Sequence, residues 1–365
     1  MTYFMPTRLF TGTGCIVRHQ DALRALGTSC VLITDKHAAK ASGALADVED
    51  ALAAVGIDSF VWDGVIENPS VASCIEAGRL AAERGVRFVL GIGGGSSLDA
   101  AKAVSVFAAN PTLDEATFYS FAWEQSPLPI VLVGTTAGTG SEVTKVSVLT
   151  DAAARKHSIH DDRLYATVAF GDSRHTRTCP PAVTLSCGVD VLAHATESYF
   201  SRKADEISRA FATRAIRLAR GPLAAAVADK GLTDEQRTQL YDASILGGLA
   251  INTTGTCFPH NVGYYLTENY HVPHGFACAV FMPAMLIRVG AYDIAYSDAF
   301  YDEIGMDEES YIALAESCLP DFDIRLSEDE IVAALPRWED NGSVKNTRAD
   351  VTTGDIHEIL RSLFA

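Results

Sequence analysis

Three consecutive glycines, Gly93-Gly94-Gly95, end a short apolar run from Arg87 to Ile92 and lead into a helical pattern that opens at Ala100. A continuous aliphatic run of that length, followed at once by a helix, reads as a buried strand of a parallel sheet. Glycine lets the backbone approach a ligand closely, and a helix N-terminus offers unpaired N–H groups, so the junction suits a diphosphate. It is not a G-x-G-x-x-G fingerprint, because Ser96 stands in the third glycine's place. A plain strand-to-helix turn is the bland alternative. Thr135 to Glu142 follows the next apolar run, Pro129 to Gly134, and again sets small hydroxyl residues among glycines at a strand's C-terminal end.

Two further short runs, Cys30 to Thr34 and Phe60 to Trp62, complete an alternation of strands and helices up to about residue 170. That pattern specifies an α/β sheet. Beyond Pro180-Pro181 the periodicity becomes helical, over Ser186 to Ser201, Glu206 to Arg220, Thr233 to Ala250 and Pro283 to Ala295. Gly221-Pro222 is a stop signal for the second of these. Ser327 to Ile331 has the form of a capped helix start, and Thr353 to Phe364 of a final helix. The expected organisation is an α/β dinucleotide-binding domain over residues 1–174 and an all-helical metal-binding domain over residues 175–365.

Charge narrows the partners. The 365 residues carry 29 basic and 46 acidic side chains, a net charge of −17, which argues against sequence-independent binding to nucleic acid. The eight cysteines are scattered with no C-x-x-C pair, the pattern of reduced, mostly buried thiols in a cytoplasmic protein. The start of the chain lacks a signal-peptide pattern. No apolar stretch comes near the roughly 20 residues of a spanning helix, so no membrane partner is expected.

Four ligand-type residues fall into two tight clusters. Asp190 and His194 are spaced i, i+4, on one face of a helix. His260 follows Pro259, a helix-start signal, and His274 lies between Pro273 and Gly275. A helical hairpin between them would bring both imidazoles to the first pair. A lone histidine is more often a satisfied core or surface residue, but this grouping is that of a mononuclear metal site. His271 is the rival ligand, while His157, His160 and His175 read as solvated. One oxygen and three nitrogens admit Fe(II), Zn(II), Mn(II) or Co(II). Asp35, at the end of the first strand, reads by itself as a helix cap.

In their order and spacing these motifs resemble the iron-containing (group III) alcohol dehydrogenase family. The likeness spans nearly the whole chain, through Thr34-Asp35-Lys36, Gly93 to Ser96, Thr135 to Thr139, Pro180-Pro181, Gly188-Val189-Asp190, His194-Ala195, Pro273-His274-Gly275 and Lys345-Asn346-Thr347. It implies the dehydroquinate synthase-like fold of an α/β nucleotide-binding domain and an all-α metal-binding domain. It also implies Asp190, His194, His260 and His274 as ligands of one metal, Fe(II) in the family, with Zn(II) or another divalent ion as alternatives. Gly94, Gly95, Ser96, Thr135 and Thr136 would contact the cofactor, together with Asn68 and Lys156. The Lys156 assignment depends on a one-residue gap, and His157 is its ungapped competitor. An acid at Asp35 goes with NAD and a small residue with NADP, which displaces the cap reading.

Many members of the family carry a second histidine four residues after the first hairpin ligand. Here Tyr264 holds that place, which leaves His274 and Tyr264 as the catalytic candidates, with the phenol as proton relay. The Gly263-Tyr264-Tyr265-Leu266-Thr267 pattern resembles a branch that includes phosphonoacetaldehyde reductases. The expected activity is hydride transfer between a primary alcohol or aldehyde and NAD(H) in a cytoplasmic homodimer. Tyr3 to Phe10 is a candidate for an exchanged edge strand. A polyol-phosphate dehydrogenase, a dehydroquinate-synthase-like lyase and a metal-dependent hydrolase are the alternatives, with a metal-storage protein last.

Overall fold

Aliphatic runs buried on both faces select parallel pairing, and the computed structural model, which describes residues 3–365, has that form. Strands β1 (Arg8–Thr11), β2 (Ser29–Ile33), β3 (Asp58–Trp62), β4 (Phe88–Gly93) and β5 (Ile130–Gly134) join one six-stranded sheet. After the antiparallel pair β6 (Val146–Thr150) and β7 (Lys156–His160), strand β8 (Val168–Gly171) completes it in the order β1-β8-β5-β4-β2-β3. Every pairing in the large sheet is parallel. Its central strands hold the core, with Val31, Leu32, Val89, Val131 and Leu132 fully buried.

The four strands read from the sequence are present, displaced by a residue or two at their ends. The short β1 and β8 and the β6–β7 hairpin carry weaker patterns, since β1 is a half-exposed edge and β7 presents polar residues outward. Strand β1 adds to β8 of its own chain, Arg8 opposite Val168 and Thr11 opposite Gly171.

Compactness divides the chain at Pro180/Pro181. One unit comprises Phe4–Pro180 with Thr233–Tyr241, and the other Pro181–Leu232 and Asp242–Ala365 with Tyr3. The second unit is helical, and its helices begin where the caps say they should. Asp205 with Ser208, Ser327 with Glu330 and Thr352 with Asp355 all form reciprocal capping boxes.

Besides a start at Pro181 in place of Ser186 and an end at Thr254 in place of Ala250, two boundaries differ instructively from expectation. The helix from Glu206 runs to Val227 and passes through Gly221-Pro222. An interior proline costs about 3 kcal/mol, but the apolar stripe of Ala212, Ile216, Ala219 and Leu223 is fully buried and carries the helix past it. The segment expected from Pro283 to Ala295 ends at Tyr292, because Asp293 caps a separate helix, Ile294–Ile304, by accepting from Tyr296 N. A third difference concerns apolar length. Residues His274–Tyr292 form a 19-residue run of mean hydropathy 1.5, longer than the sequence reading allowed, with 61% of the window buried inside the protein. A core helix has that character.

Where β5 ends, Gly134 leaves room for a buried pair, the Tyr241 hydroxyl donating to Glu142 Oε1 at 2.6 Å. A Cβ on Gly134 would collide with both groups. Gly134→Ala is therefore expected to destabilise the protein by about 1–3 kcal/mol through overpacking. A urea midpoint unchanged from wild type would show that the pair yields freely.

Candidate functional site

The Pro181–Tyr199 helix carries Asp190, His194 and Glu197, spaced so that all three face one side, and all three are buried. The Phe258–Tyr270 helix starts after Cys257 with Pro259 in its first turn, which sets His260 at its N-terminal end. That helix closes at His271, whose φ of 54° is left-handed and whose side chain is exposed, so the rival ligand points elsewhere. Pro273 then turns the chain into the His274–Ala279 helix. Two glycines let these helices meet backbone to backbone. A Cβ on Gly263 would lie 2.6 Å from Ala277 O, and one on Gly275 would collide with the Ser186 carbonyl.

Packing at that distance brings the four expected ligands together. His260 Nε2 lies 3.4 Å from Asp190 Oδ1, and His194 Nδ1 lies 3.9 Å from Asp190 Oδ2. The rings of His194 and His260 are stacked at 4.6 Å, and those of His260 and His274 meet edge-on at 5.3 Å. Tyr264, one turn after His260, stacks on His274 at 5.7 Å. A thiol joins the group: donor atoms of Asp190, His260, His274 and Cys278 all lie within 4.8 Å of one another.

The donors fit a divalent cation. Asp190 Oδ1 and His260 Nε2 are buried, face each other and make no hydrogen bond, which is costly unless something else satisfies them. Burial alone would raise the Asp190 pKa, but the imidazoles of His194, His274 and His260 hold it well below the usual carboxylate range. His260 shows the converse. Burial opposes its protonation, yet Cys278, Glu197 and Asp190 together push its pKa well above the ordinary imidazole value.

Glu197 was not legible as a site residue. Its Oε1 accepts from His260 Nδ1 at 2.5 Å and its Oε2 from Cys257 N at 2.6 Å. With Nδ1–H committed to Glu197, Nε2 is the nitrogen left facing Asp190, where a cation would take the place of a proton. The available signal was helical: Glu197 follows Asp190 by two turns and His194 by one.

In the sheet-containing unit the two glycine-rich loops face each other. Thr135 N donates to Gly93 O at 2.9 Å. A Cβ on Gly94 would sit 3.1 Å from the Thr136 side chain, and one on Gly95 2.7 Å from that of Thr139. Gly93 has φ 149°, where an added Cβ would lie 2.5 Å from Ser97 Oγ, so only glycine serves there. Asn68, itself left-handed at φ 54°, donates its backbone N–H to Ser96 Oγ at 3.3 Å.

Behind the loops lies a buried ammonium that the sequence did not single out. Lys102 donates to Ser141 O, Ser141 Oγ and Val146 O at 2.7–2.8 Å, and Asp99 takes up Ser141 Oγ and Val148 N. Burial pushes the Lys102 pKa down while Asp99 and Glu142 pull it up. This network ties the first turns after the glycine loop to the segment after Thr139.

The remaining candidates are dispersed. Asp35 Oδ1 accepts from the backbone N–H groups of His37 and Ala38 in a turn ahead of the Ala38–Ala41 helix, whose N-cap is His37 and not Asp35, while its Oδ2 faces Gly93. Lys156 opens strand β7, and next to it His157 pairs with Asp151 at 3.0 Å. His160 is exposed. His175 is not solvated as expected: it is buried, with Nε2 3.1 Å from Asp47 Oδ2. Its position in a short helical turn beside a carboxylate, invisible in sequence, withdrew it from water.

Comparison with known proteins bears on the family and the fold. The model of the iron-containing alcohol dehydrogenase family matches residues 6–173, and that of the family's C-terminal domain matches residues 184–295. Long-chain-alcohol dehydrogenase 1 of Geobacillus thermodenitrificans is 34% identical over 77% of this chain and 71% of its own length. The NAD-dependent methanol dehydrogenase of Bacillus methanolicus is 29% identical over 99% of this chain and 93% of its own. Among solved structures, an iron-containing alcohol dehydrogenase from Thermotoga maritima gives a TM-score of 0.91 at 31% identity, covering 99% of this chain and 98% of that one.

Glu197→Gln keeps the size of the side chain but weakens the acceptor that orients His260. Divalent-metal affinity, read by competition with a chromophoric chelator, should fall about 10–100-fold. An unchanged dissociation constant would remove Glu197 from the site.

Proposed function

Because the chain belongs to the iron-containing alcohol dehydrogenase family, we propose that Asp190, His194, His260 and His274 hold one divalent cation in an enzyme that interconverts a primary alcohol and its aldehyde with NAD(H). The observation that carries the ligand assignment is the buried pair of Asp190 Oδ1 and His260 Nε2, 3.4 Å apart and without hydrogen bonds. Fe(II) is the family's metal, and one carboxylate with three imidazoles also suits Zn(II). When bound, the cation supplies a Lewis acid for the substrate oxygen.

The protein's own groups do the rest. Asp190 offers the negative charge that a dication needs, and Glu197 keeps His260 in the tautomer that presents Nε2. Tyr264, stacked on His274, places a phenol beside the ligand cluster, where its hydroxyl holds or passes the proton that leaves the alcohol. Gly94, Gly95, Ser96, Thr135 and Thr136 lie on two facing loops at strand ends, the kind of backbone that presents amides to a diphosphate. Asn68 braces Ser96, and Lys156 is assigned to the cofactor with them. Asp35 uses one oxygen on backbone amides and keeps the other for a ribose hydroxyl, where a 2′-phosphate would be repelled.

The enzyme is assigned to the cytoplasm as a homodimer. None of its eight cysteines is bridged, which supports a reducing compartment. A net charge of −17 supports a small-molecule substrate over nucleic acid.

Two substitutions test the two halves of the reading. His274→Ala should cut kcat/KM by about a thousandfold or more, since Lewis-acid stabilisation is worth several kcal/mol, and bound metal should fall with it. Wild-type turnover in metal-replete H274A would sink the ligand assignment. Asp35→Ser should shift the NADP-to-NAD preference toward NADP by about tenfold, the effect of removing one repulsive charge worth ~1–2 kcal/mol. No shift in that ratio would free Asp35 from a cofactor role.

A further inference from the structure

We infer that Cys278 is a ligand of the same cation, so that the centre is a mixed nitrogen, oxygen and sulfur site favouring Zn(II) and Co(II) over Mn(II). This rests on the proposed metal reading and goes one residue beyond it. Cys278 lies one turn after His274 on the same helix, and it is fully buried. Its Sγ is 3.6 Å from His274 Nδ1 and 3.8 Å from His274 Nε2. Within the same group, His260 Nε2 and Asp190 Oδ1 are 3.4 Å apart.

Those separations have the right size. Bonds of about 2.0–2.1 Å to nitrogen or oxygen and about 2.3 Å to sulfur place neighbouring ligands of a tetrahedral ion roughly 3.3–3.8 Å apart. His194 lies on the Asp190 side, its Nδ1 3.9 Å from Asp190 Oδ2, next to the group of Asp190, His260, His274 and Cys278.

The bland reading of a buried cysteine is a small apolar residue. Cys30 and Cys74 fit it, packed in the aliphatic clusters of the sheet. Cys257 is also buried, but its Sγ is directed at the Glu197 carbonyl at 3.3 Å. Cys278 instead faces an ionised carboxylate and two imidazoles, and two polar atoms of that group lack hydrogen bonds. On binding, the Cys278 S–H bond breaks, its proton passes to solvent, and the electron pair left on sulfur forms the bond to the cation. A thiolate donor moves selectivity toward softer ions.

Metal-free full-length protein titrated with one equivalent of Co(II), without oxygen, reads the ligand directly. Wild type should show visible d–d bands together with a near-ultraviolet sulfur-to-cobalt charge-transfer band. Cys278→Ser and Cys278→Ala should lose the near-ultraviolet band, keep the visible bands and bind Zn(II) over Mn(II) with a smaller preference. Visible bands in wild type with no charge-transfer band would overturn the sulfur ligand and leave the four-ligand reading intact, as would a charge-transfer band that survives both substitutions. If Co(II) gives neither band in wild type, the metal reading itself falls, and the sulfur ligand with it.

Discussion

A carboxylate with almost no access to water organises the helical unit. Asp190 is 2% exposed, and removing an ion from water costs several kcal/mol unless opposite charge or good donors replace the solvent. The imidazoles of His194, His260 and His274 surround it, and they come from three helices. Bringing three helices to one carboxylate requires backbone approach closer than side chains permit. Gly263 and Gly275 sit at those contacts, where a methyl group would strike a neighbouring carbonyl. The glycines, the capped helix starts and the buried acid are therefore parts of one requirement. Because a cation would relieve the same electrostatic demand, metal binding and the packing of these helices are thermodynamically linked.

The sheet-containing unit answers a different demand, that of presenting backbone amides to an anion. Parallel strands β4 and β5 end side by side, so the loops that follow them face each other. Loops rich in glycine lose much conformational entropy when ordered, and here the ordering comes from beneath. Lys102 spends all three of its donors on the segment from Ser141 to Val146, and Asp99 holds the same segment from the adjacent helix turn. The unit thus places its rigid charged network behind the loops and leaves their outer surface to glycine and threonine.

Much of the fold was legible because it rests on periodicity. The runs Cys30 to Thr34 and Pro129 to Gly134 have a length and composition that suit buried parallel strands, and the final helix lies at Thr353–Phe364 as expected. Pro222 was misleading for the opposite reason. Its local signal is strong, but the apolar stripe around it continues and tertiary burial outweighs the local break. Asp35 was read from the bare residue as a helix cap, but His37 is the N-cap and Asp35 closes the turn before it, because the chain takes two more residues to enter the helix.

From the chain alone came the ligand types, the i, i+4 pairing of Asp190 with His194 and the glycine loops at strand ends. Each of these is encoded within one element, where spacing and residue chemistry suffice. The expected division at 174/175, by contrast, missed that residues 175–180 and Thr233–Tyr241 pack with the sheet. Tertiary structure alone decided that Glu197 would hold His260, that Cys278 would join the donors in place of the exposed His271, and that Lys102 would be buried under the loops. Those outcomes depend on which faces of separate helices meet, and a sequence records the face of each helix but not the neighbour it will find.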